Sequence, residues 1–179
     1  MGKSRGQPTP IIQATAPKTD DLASEKGINY TRLRDLLAAK NWKEADKETY
    51  RVMIQAVGKK DGDSFDKDKL LNFPCTDLRT IDRLWVKYSN GHFGFSVQKE
   101  IYLSVGGKAD GRYYEEAWKK FGDRVGWRVE SSWIFYSKVT VDTSSPRGNL
   151  PIFYSGKLSF SHSVVISSLA SRLVNCNTP

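Results

Sequence analysis

Apolar side chains recur at every third or fourth position in several separate stretches, and no other feature constrains the fold of this chain as strongly. The clearest stretch follows the capping residue Thr76, and its apolar positions are Leu78, Ile81, Leu84, Trp85 and Tyr88. This spacing places all of them on one face of an α-helix. Asn90-Gly91 follows, and such a pair ends a helix.

Five other stretches have the same spacing and predict further helices. Two of them begin at the capping residues Asn29 and Asn41 and would form a helical hairpin. The other three cover residues 95–105, the stretch after the capping residue Asp110, and residues 165–176. We therefore predict an all-α fold.

One segment and one terminus fall outside this helical pattern. Lys138–Asp142 reads either as a short strand or as an extended segment. Residues 1–27 have no apolar period and contain Pro, Thr, Gln and Lys, which is typical of a disordered leader or linker. The 179 residues thus predict one domain at 28–179 after a leader at 1–27.

Several protein classes are disfavoured by composition. No apolar run approaches the roughly 18 to 20 residues of a membrane span, and no secretory signal is recognisable. Two cysteines, Cys75 and Cys176, are too few for the disulfide framework of a small secreted domain. We expect a soluble intracellular protein in a reducing compartment, with at most peripheral membrane contact.

The net charge of +8 raises the question of nucleic-acid binding. Most lysines and arginines alternate with acidic residues, as on solvated helix faces, so we expect no nucleic-acid partner. After Asp142 the chain has no acidic residue but keeps Arg147, Lys157 and Arg172. This tail favours a ligand that carries carboxylates.

Catalytic motifs are not recognisable in this sequence. The two histidines, His92 and His162, lie outside any metalloprotease or nucleophile motif. We therefore expect no enzymatic activity and no intrinsic metal; either histidine would matter only as an axial ligand to a metal that the bound molecule carries.

Residues 150–165 are unusually rich in aliphatic and aromatic side chains for a segment that follows a rigid proline turn. Such a segment either covers a ligand or packs into the core as a strand or the start of a helix. Apolar walls with a few cations suit a flat macrocycle that bears propionates.

Three blocks of sequence resemble the signature of the genomes-uncoupled-four family: Thr80–Trp85, Ser89–Gln98 and Pro146–Pro151. The resemblance runs from about Tyr30 to Asn177. It implies a single cup-shaped helical domain with a long C-terminal covering loop. It also implies binding of protoporphyrin or magnesium protoporphyrin, and regulation of magnesium chelatase through its large subunit.

The resemblance assigns the pocket to helices around the signature and the covering loop to residues 152–165. Together with the basic tail, it predicts the ligand-binding residues Leu70, Phe73, Trp85, Phe95, Trp133, Phe135, Arg147, Phe153, Tyr154, Lys157 and Phe160. We expect a monomer in the cyanobacterial cytoplasm. Association with the thylakoid is an alternative, and the chloroplast stroma is less favoured.

This chain departs from the family pattern at four positions. Asn149 stands where the family has a histidine, and Tyr154, Lys157 and Phe160 replace an asparagine and two arginines of the covering loop. Lysine is a point charge, whereas arginine offers a carboxylate a bidentate fork, so propionate recognition is expected to be weaker or shifted. The chain resembles a paralogue of the family. The alternative is a sensing or protein-interaction module that binds haem or a bilin, or associates with a kinase, and has no chelatase role.

Overall fold

The computed structural model describes residues 20–152 and 160–177, and within α7 it describes side chains from residue 162 onward. Helices dominate this part of the chain, as the sequence predicts. The elements are α1 Thr31–Ala38, α2 Trp42–Ala56, α3 Lys67–Leu71, α4 Cys75–Tyr88, α5 Phe95–Ser104, α6 Glu115–Val125, β1 Arg128–Val129, β2 Ser132–Trp133, a 3₁₀ turn Tyr136–Lys138, and α7 Phe160–Asn175. The strands form a two-residue antiparallel hairpin.

The helix α7 lies at the centre of the packing. It contacts α3, α4 and α5, while α1 packs on both α2 and α4. A cluster of aromatic rings fills the interior beside it, and Trp118 stacks on Phe121 and meets Trp127 edge-on. None of the described helices is long and apolar enough to cross a membrane.

Several predicted helix starts differ from the observed ones. The signature helix α4 begins at Cys75, one residue before the predicted cap Thr76. The side chain of Asn41 makes no capping hydrogen bond to α2. The carboxylate of Asp110 accepts from the Arg112 N–H and the Tyr114 hydroxyl, and α6 begins only at Glu115. Local side-chain to backbone bonds compete with helix formation here.

Other differences concern short or late elements. The helix α3 was not predicted, although Asp66 caps it by accepting from the Lys69 N–H at 3.0 Å. The last helix begins at Phe160 rather than near Val165. Residues 138–142 contain no strand, since a 3₁₀ turn ends at Lys138 and irregular backbone follows. Packing against α3 and α5 stabilises α7 over a longer stretch than its apolar spacing predicts.

The segment 20–27 packs along α4, although the sequence placed it in the leader. Asp20 accepts hydrogen bonds of 2.5 Å from both Lys87 and the Tyr88 hydroxyl. The hydroxyl of Thr80 donates to the carbonyl of Ala23 at 2.7 Å. Residues 20–27 are therefore packed on α4, because tertiary contacts compensate for the missing apolar period. Residues 1–19 lie outside the described structure.

A disulfide joins Cys75 to Cys176, with their Cα atoms 5.5 Å apart. It corrects the expectation of reduced thiols. Helix packing brings the first residue of α4 beside the last turn of α7, and a sequence separation of 101 residues gives no sign of this proximity.

Candidate functional site

The proline turn at 146–151 is fixed to the start of α5. The Gln98 side-chain amide donates to the carbonyls of Gly148 at 3.0 Å and Pro151 at 2.8 Å. The Gly94 N–H donates to the Leu150 carbonyl at 3.1 Å, and the Gly148 N–H donates to the His92 carbonyl at 2.8 Å. Two blocks about 50 residues apart thus form one hydrogen-bonded unit.

Two residues of the turn explain its rigidity. Gly148 has a φ of +78°, and a Cβ there would lie 2.6 Å from Ile101 Cδ1. The Asn149 side-chain amide donates to the Val125 carbonyl at 2.7 Å, and the backbone carbonyl of Asn149 accepts from the Trp127 indole at 2.8 Å. Asn149 therefore anchors the turn to the end of α6.

The segment after this turn is held on both flanks. The Ile152 N–H donates to a carboxylate oxygen of Asp46 at 2.7 Å, and Asp46 is fully buried on α2. Residues 153–159 lie outside the described structure, and α7 resumes the chain at Phe160. The segment therefore leaves from α2 and returns at the start of α7.

A cavity of about 1060 Å³ opens beside these flanks, and we call it the α2–α7 cavity. It lies between α2, the loop after α2 and the first turns of α7. Its described lining consists of Arg32, Glu44, Lys47, Glu48, Tyr50, Arg51, Asp61, Gly62, Asp63, Ser64, Phe65, His162 and Val165. The volume is at the upper end of the range for small-molecule sites.

Tyr50 fixes the loop that forms one wall of this cavity. Its hydroxyl donates to the Asp63 carbonyl at 2.6 Å and accepts from the Gly62 N–H at 3.1 Å. The ring of Phe65 meets the ring of Tyr50 edge-on, with centroids 6.0 Å apart. An aromatic edge is thereby presented to the cavity on a wall that does not depend on the covering segment.

The charges around the α2–α7 cavity are nearly balanced. Among the described lining residues, three basic side chains (Arg32, Lys47 and Arg51) face four acidic ones (Glu44, Glu48, Asp61 and Asp63). Glu48 is buried and pairs with both Arg32, at 3.3 Å, and Arg51. A hydrogen bond from Lys47 holds the pKa of Glu44 below its ordinary value. The described lining therefore has no surplus of positive charge.

His162 brings an imidazole to the cavity from the first turn of α7. It is buried, and its ring meets the Trp127 ring edge-on at 6.2 Å. No group of three or more metal-ligating side chains occurs in the described ranges.

A family model described as GUN4-like matches residues 23–166.

The chain belongs to the GUN4-like family.

Relatives of this GUN4-like chain come from cyanobacteria and chloroplasts. A Ycf53-like protein of Synechocystis is 34% identical over 73% of this chain, and the Arabidopsis chloroplastic protein named tetrapyrrole-binding protein is 32% identical over 67% of it. The matched regions make up 54% and 46% of those proteins, so the chain spans about half their length.

Two solved structures share the fold. GUN4 of Chlamydomonas reinhardtii superposes with a TM-score of 0.64 at 29% identity, covering 84% of this chain and 92% of that one. Ligand-free Arabidopsis GUN4 gives 0.60 at 25% identity, covering 79% and 94%. The mostly helical fold predicted from the sequence is confirmed.

Four of the predicted ligand-binding residues lie in the core of this GUN4-like domain. Leu70, Phe73, Trp85 and Phe95 are at most 2% exposed and do not line the α2–α7 cavity. The Trp85 indole donates to the Thr49 hydroxyl at 2.9 Å. They support the helices around the cavity, because the apolar face of an amphipathic helix is used first for packing.

The remaining predicted residues have different locations. Trp133 stacks on Trp118 with centroids 5.0 Å apart, and Phe135 is 55% exposed. Arg147 pairs with Glu100 at 2.7 Å, away from the α2–α7 cavity. Phe153, Tyr154 and Lys157 lie outside the described residues, and the side chain of Phe160 does as well. Their contact with a ligand stays a prediction.

Sequence reasoning missed the cavity wall formed by Tyr50, Arg51 and Phe65. Tyr50 and Arg51 lie between the core positions of α2, so periodicity assigned them to a solvated face. Phe65 carried a weak signal, because it is the one large apolar side chain in the polar stretch 58–69. Single apolar residues are ordinary on protein surfaces, so Phe65 by itself could not identify the wall.

Proposed function

We propose that this domain binds a tetrapyrrole in the α2–α7 cavity and acts through that complex, without catalysing a reaction. The observation that carries the proposal is a cavity of about 1060 Å³ lined by α2, to which Ile152 is hydrogen-bonded, and by the first turns of α7, which follow the predicted covering loop. The chain's family and the Arabidopsis relative named tetrapyrrole-binding protein support the choice of ligand.

The lining suits such a ligand in two ways. Tyr50, Phe65 and Val165 offer apolar surface against which a macrocycle can pack. Arg32 is exposed and can turn from Glu48 toward a propionate while Arg51 keeps the buried Glu48 paired. Lys157 of the covering loop would add a charge with no acidic residue near it in sequence.

The proposed ligands are protoporphyrin and magnesium protoporphyrin, and the proposed output is regulation of magnesium chelatase through its large, porphyrin-handling subunit. The second candidate is a sensing or protein-interaction module without a chelatase role. The replacements at Tyr154, Lys157 and Phe160 favour it, because they remove the arginine forks expected in the family's covering loop.

Titration with a soluble magnesium porphyrin and with its metal-free form tests the proposal, followed by quenching of tryptophan fluorescence. Trp127 lies against His162 of the cavity lining and is the expected reporter. Saturable quenching that Trp127→Phe reduces is expected. A folded protein that shows no quenching with either porphyrin would exclude tetrapyrrole binding.

Two substitutions in the covering loop separate its apolar and charged contributions. Replacing Phe153 and Phe160 together by alanine is expected to weaken binding by about 1–3 kcal/mol, because aromatic contact is lost. Lys157→Glu is expected to weaken a dicarboxylate porphyrin more than its methyl ester. Equal effects on both porphyrins would remove Lys157 from propionate recognition.

A further inference from the structure

Helices α4 and α5 enclose a second cavity of about 810 Å³, which we call the α4–α5 groove. It shares no lining residue with the α2–α7 cavity. Val86, Val97 and Leu103 form its apolar part, and Leu103 is 40% exposed. An exposed leucine in a concave apolar surface is typical of a binding surface.

The rim of the α4–α5 groove is strongly basic. Its basic lining residues are Arg79, Arg83, Lys87, Lys99 and Arg147, whereas its acidic ones are Asp82 and Glu100. Asp82 is buried and accepts from the Ser96 N–H at 2.8 Å, and Glu100 is paired with Arg147. The lining thus holds five cations against two carboxylates, and Asp20 and Asp21, which pair with Lys87 and Arg83, reduce the net charge of the rim to about +1.

The chain itself shows that this rim binds carboxylates. Asp20 lies 2.5 Å from Lys87, and a carboxylate oxygen of Asp21 lies 3.5 Å from Arg83. Both acidic residues precede α1 in an extended segment that packs along α4. This segment occupies two basic residues at the edge, and none of its residues lines the groove.

We propose that the α4–α5 groove docks an acidic helical segment of a partner protein. Apolar side chains of that segment would pack on Val86, Val97 and Leu103, and its carboxylates would meet the basic rim. A cleft between two helices fits a helix that buries one face. A nucleic acid fits less well, because phosphates make no use of the apolar floor. The proposal does not depend on tetrapyrrole binding.

Three synthetic peptides test the groove, each about 16 residues long with fluorescein at the N-terminus. The first has leucines at helical spacing flanked by glutamates. The second replaces every glutamate by lysine, and the third scrambles the order of the first. Fluorescence anisotropy with the full chain is expected to show saturable binding of the first peptide alone, weakening as salt rises.

Variants locate the binding. The double change Arg83→Glu and Lys99→Glu is expected to weaken the acidic peptide at least about 10-fold, because like charges are brought together. Leu103→Ala is expected to weaken it about 3- to 10-fold through lost apolar contact. Lys120→Glu with Arg124→Glu is the matched control, since it changes the net charge equally at exposed α6 positions outside both cavities. Thermal melts establish that each variant is folded.

Three results would overturn the proposal. The first is that the lysine peptide or the scrambled peptide binds as tightly as the acidic one, or that the control variant binds the acidic peptide as weakly as the groove variant does. The second is saturable binding of sodium laurate at the groove without binding of the peptide, which would make the groove a site for small anionic amphiphiles. The third is loss of magnesium porphyrin binding in the groove variant, which would place the tetrapyrrole there. Porphyrin binding that fails in every variant while the peptide still binds would count against the proposed function alone.

Discussion

The α2–α7 cavity and the α4–α5 groove differ in how their charges are paired. In the cavity, Glu48 pairs with two arginines and Glu44 pairs with Lys47, so the basic residues are largely compensated. In the groove, Asp82 is used to cap α5 and Glu100 pairs with Arg147, while three other cations face carboxylates or carbonyls of neighbouring segments. A net charge of +8 therefore says little about either site.

This difference bears on which ligand each region can take. The cavity lies beside a covering segment and can enclose an apolar ring, with carboxylates reached by rearranging existing ion pairs. The groove has a basic rim with a small net positive charge beside an apolar floor whose exposed part is Leu103, and it suits a larger acidic partner. Charge pairing at each wall, rather than total charge, separates a small-molecule site from a docking surface.

The largest effect on stability is expected from Trp85→Ala, because Trp85 lies in the core beneath both regions. Trp85 is fully buried, stacks on Trp42 and bonds to Thr49, so its loss should lower the free energy of unfolding by about 3–5 kcal/mol. Urea unfolding measures this. We expect the folded fraction to keep both affinities; a selective loss of porphyrin affinity in Trp85→Phe would instead make Trp85 a ligand contact.

Breaking the disulfide should have the next largest effect. Cys75 and Cys176 close a loop of about 100 residues, so Cys75→Ser with Cys176→Ser is expected to cost about 2–4 kcal/mol of stability. Melting temperatures with and without reductant measure this loss of stability. The melting temperature of the double serine variant should not change when reductant is added. Neither cysteine is among the described lining residues of the α2–α7 cavity, so porphyrin affinity should stay the same. Arg79 of the groove donates to the Cys176 carbonyl at 2.9 Å, so any change in affinity should concern the peptide.

A matched pair of truncations separates the two regions directly. Phe65→Ala removes an aromatic edge from the cavity and is expected to weaken porphyrin binding by about 1–2 kcal/mol. Leu103→Ala removes comparable exposed apolar surface from the groove and should leave porphyrin affinity unchanged. Fluorescence titration of both variants is the measurement, and the reverse order of effects would exchange the roles of the two regions.

The smallest effect on stability is expected from lowering the pH, which protonates Asp20. Burial of the Asp20 carboxylate raises its pKa, but the hydrogen bonds from Lys87 and Tyr88 outweigh this effect and hold the pKa of Asp20 below its ordinary 3.8. A lowered pKa in the folded state means that the contribution of Asp20 is complete above about pH 4 and is lost as the pH falls through the lower folded value.

Comparison of the wild type with Asp20→Asn isolates this contribution. Their difference in free energy of unfolding, at most about 1 kcal/mol, should be constant from about pH 7 to pH 5 and shrink below about pH 4. At neutral pH, Asp20→Asn should also tighten the acidic peptide slightly, because it frees Lys87 at the groove rim. A weaker peptide complex would mean that segment 20–27 forms part of the docking surface.

Most of the fold was predictable from local pattern. The apolar positions of α1, α2, α4, α5 and α6 were read from their spacing, because an amphipathic helix shows its buried face in the sequence. The boundaries were less predictable, as at Asp110, where a turn takes the carboxylate that would cap a helix. The short α3 is missed because one helical turn of apolar residues carries little periodic signal.

The sequence by itself determined the helical class, the family signature and the turn that begins the predicted covering loop. Only the tertiary structure decided that Trp85 and Phe95 are core residues, that Tyr50 and Phe65 line a cavity, and that Arg147 lies at a different groove. Periodicity states which face of a helix is buried, but it does not state against which neighbour. A binding site is a property of surfaces that several distant segments form together, and their distance in sequence hides it.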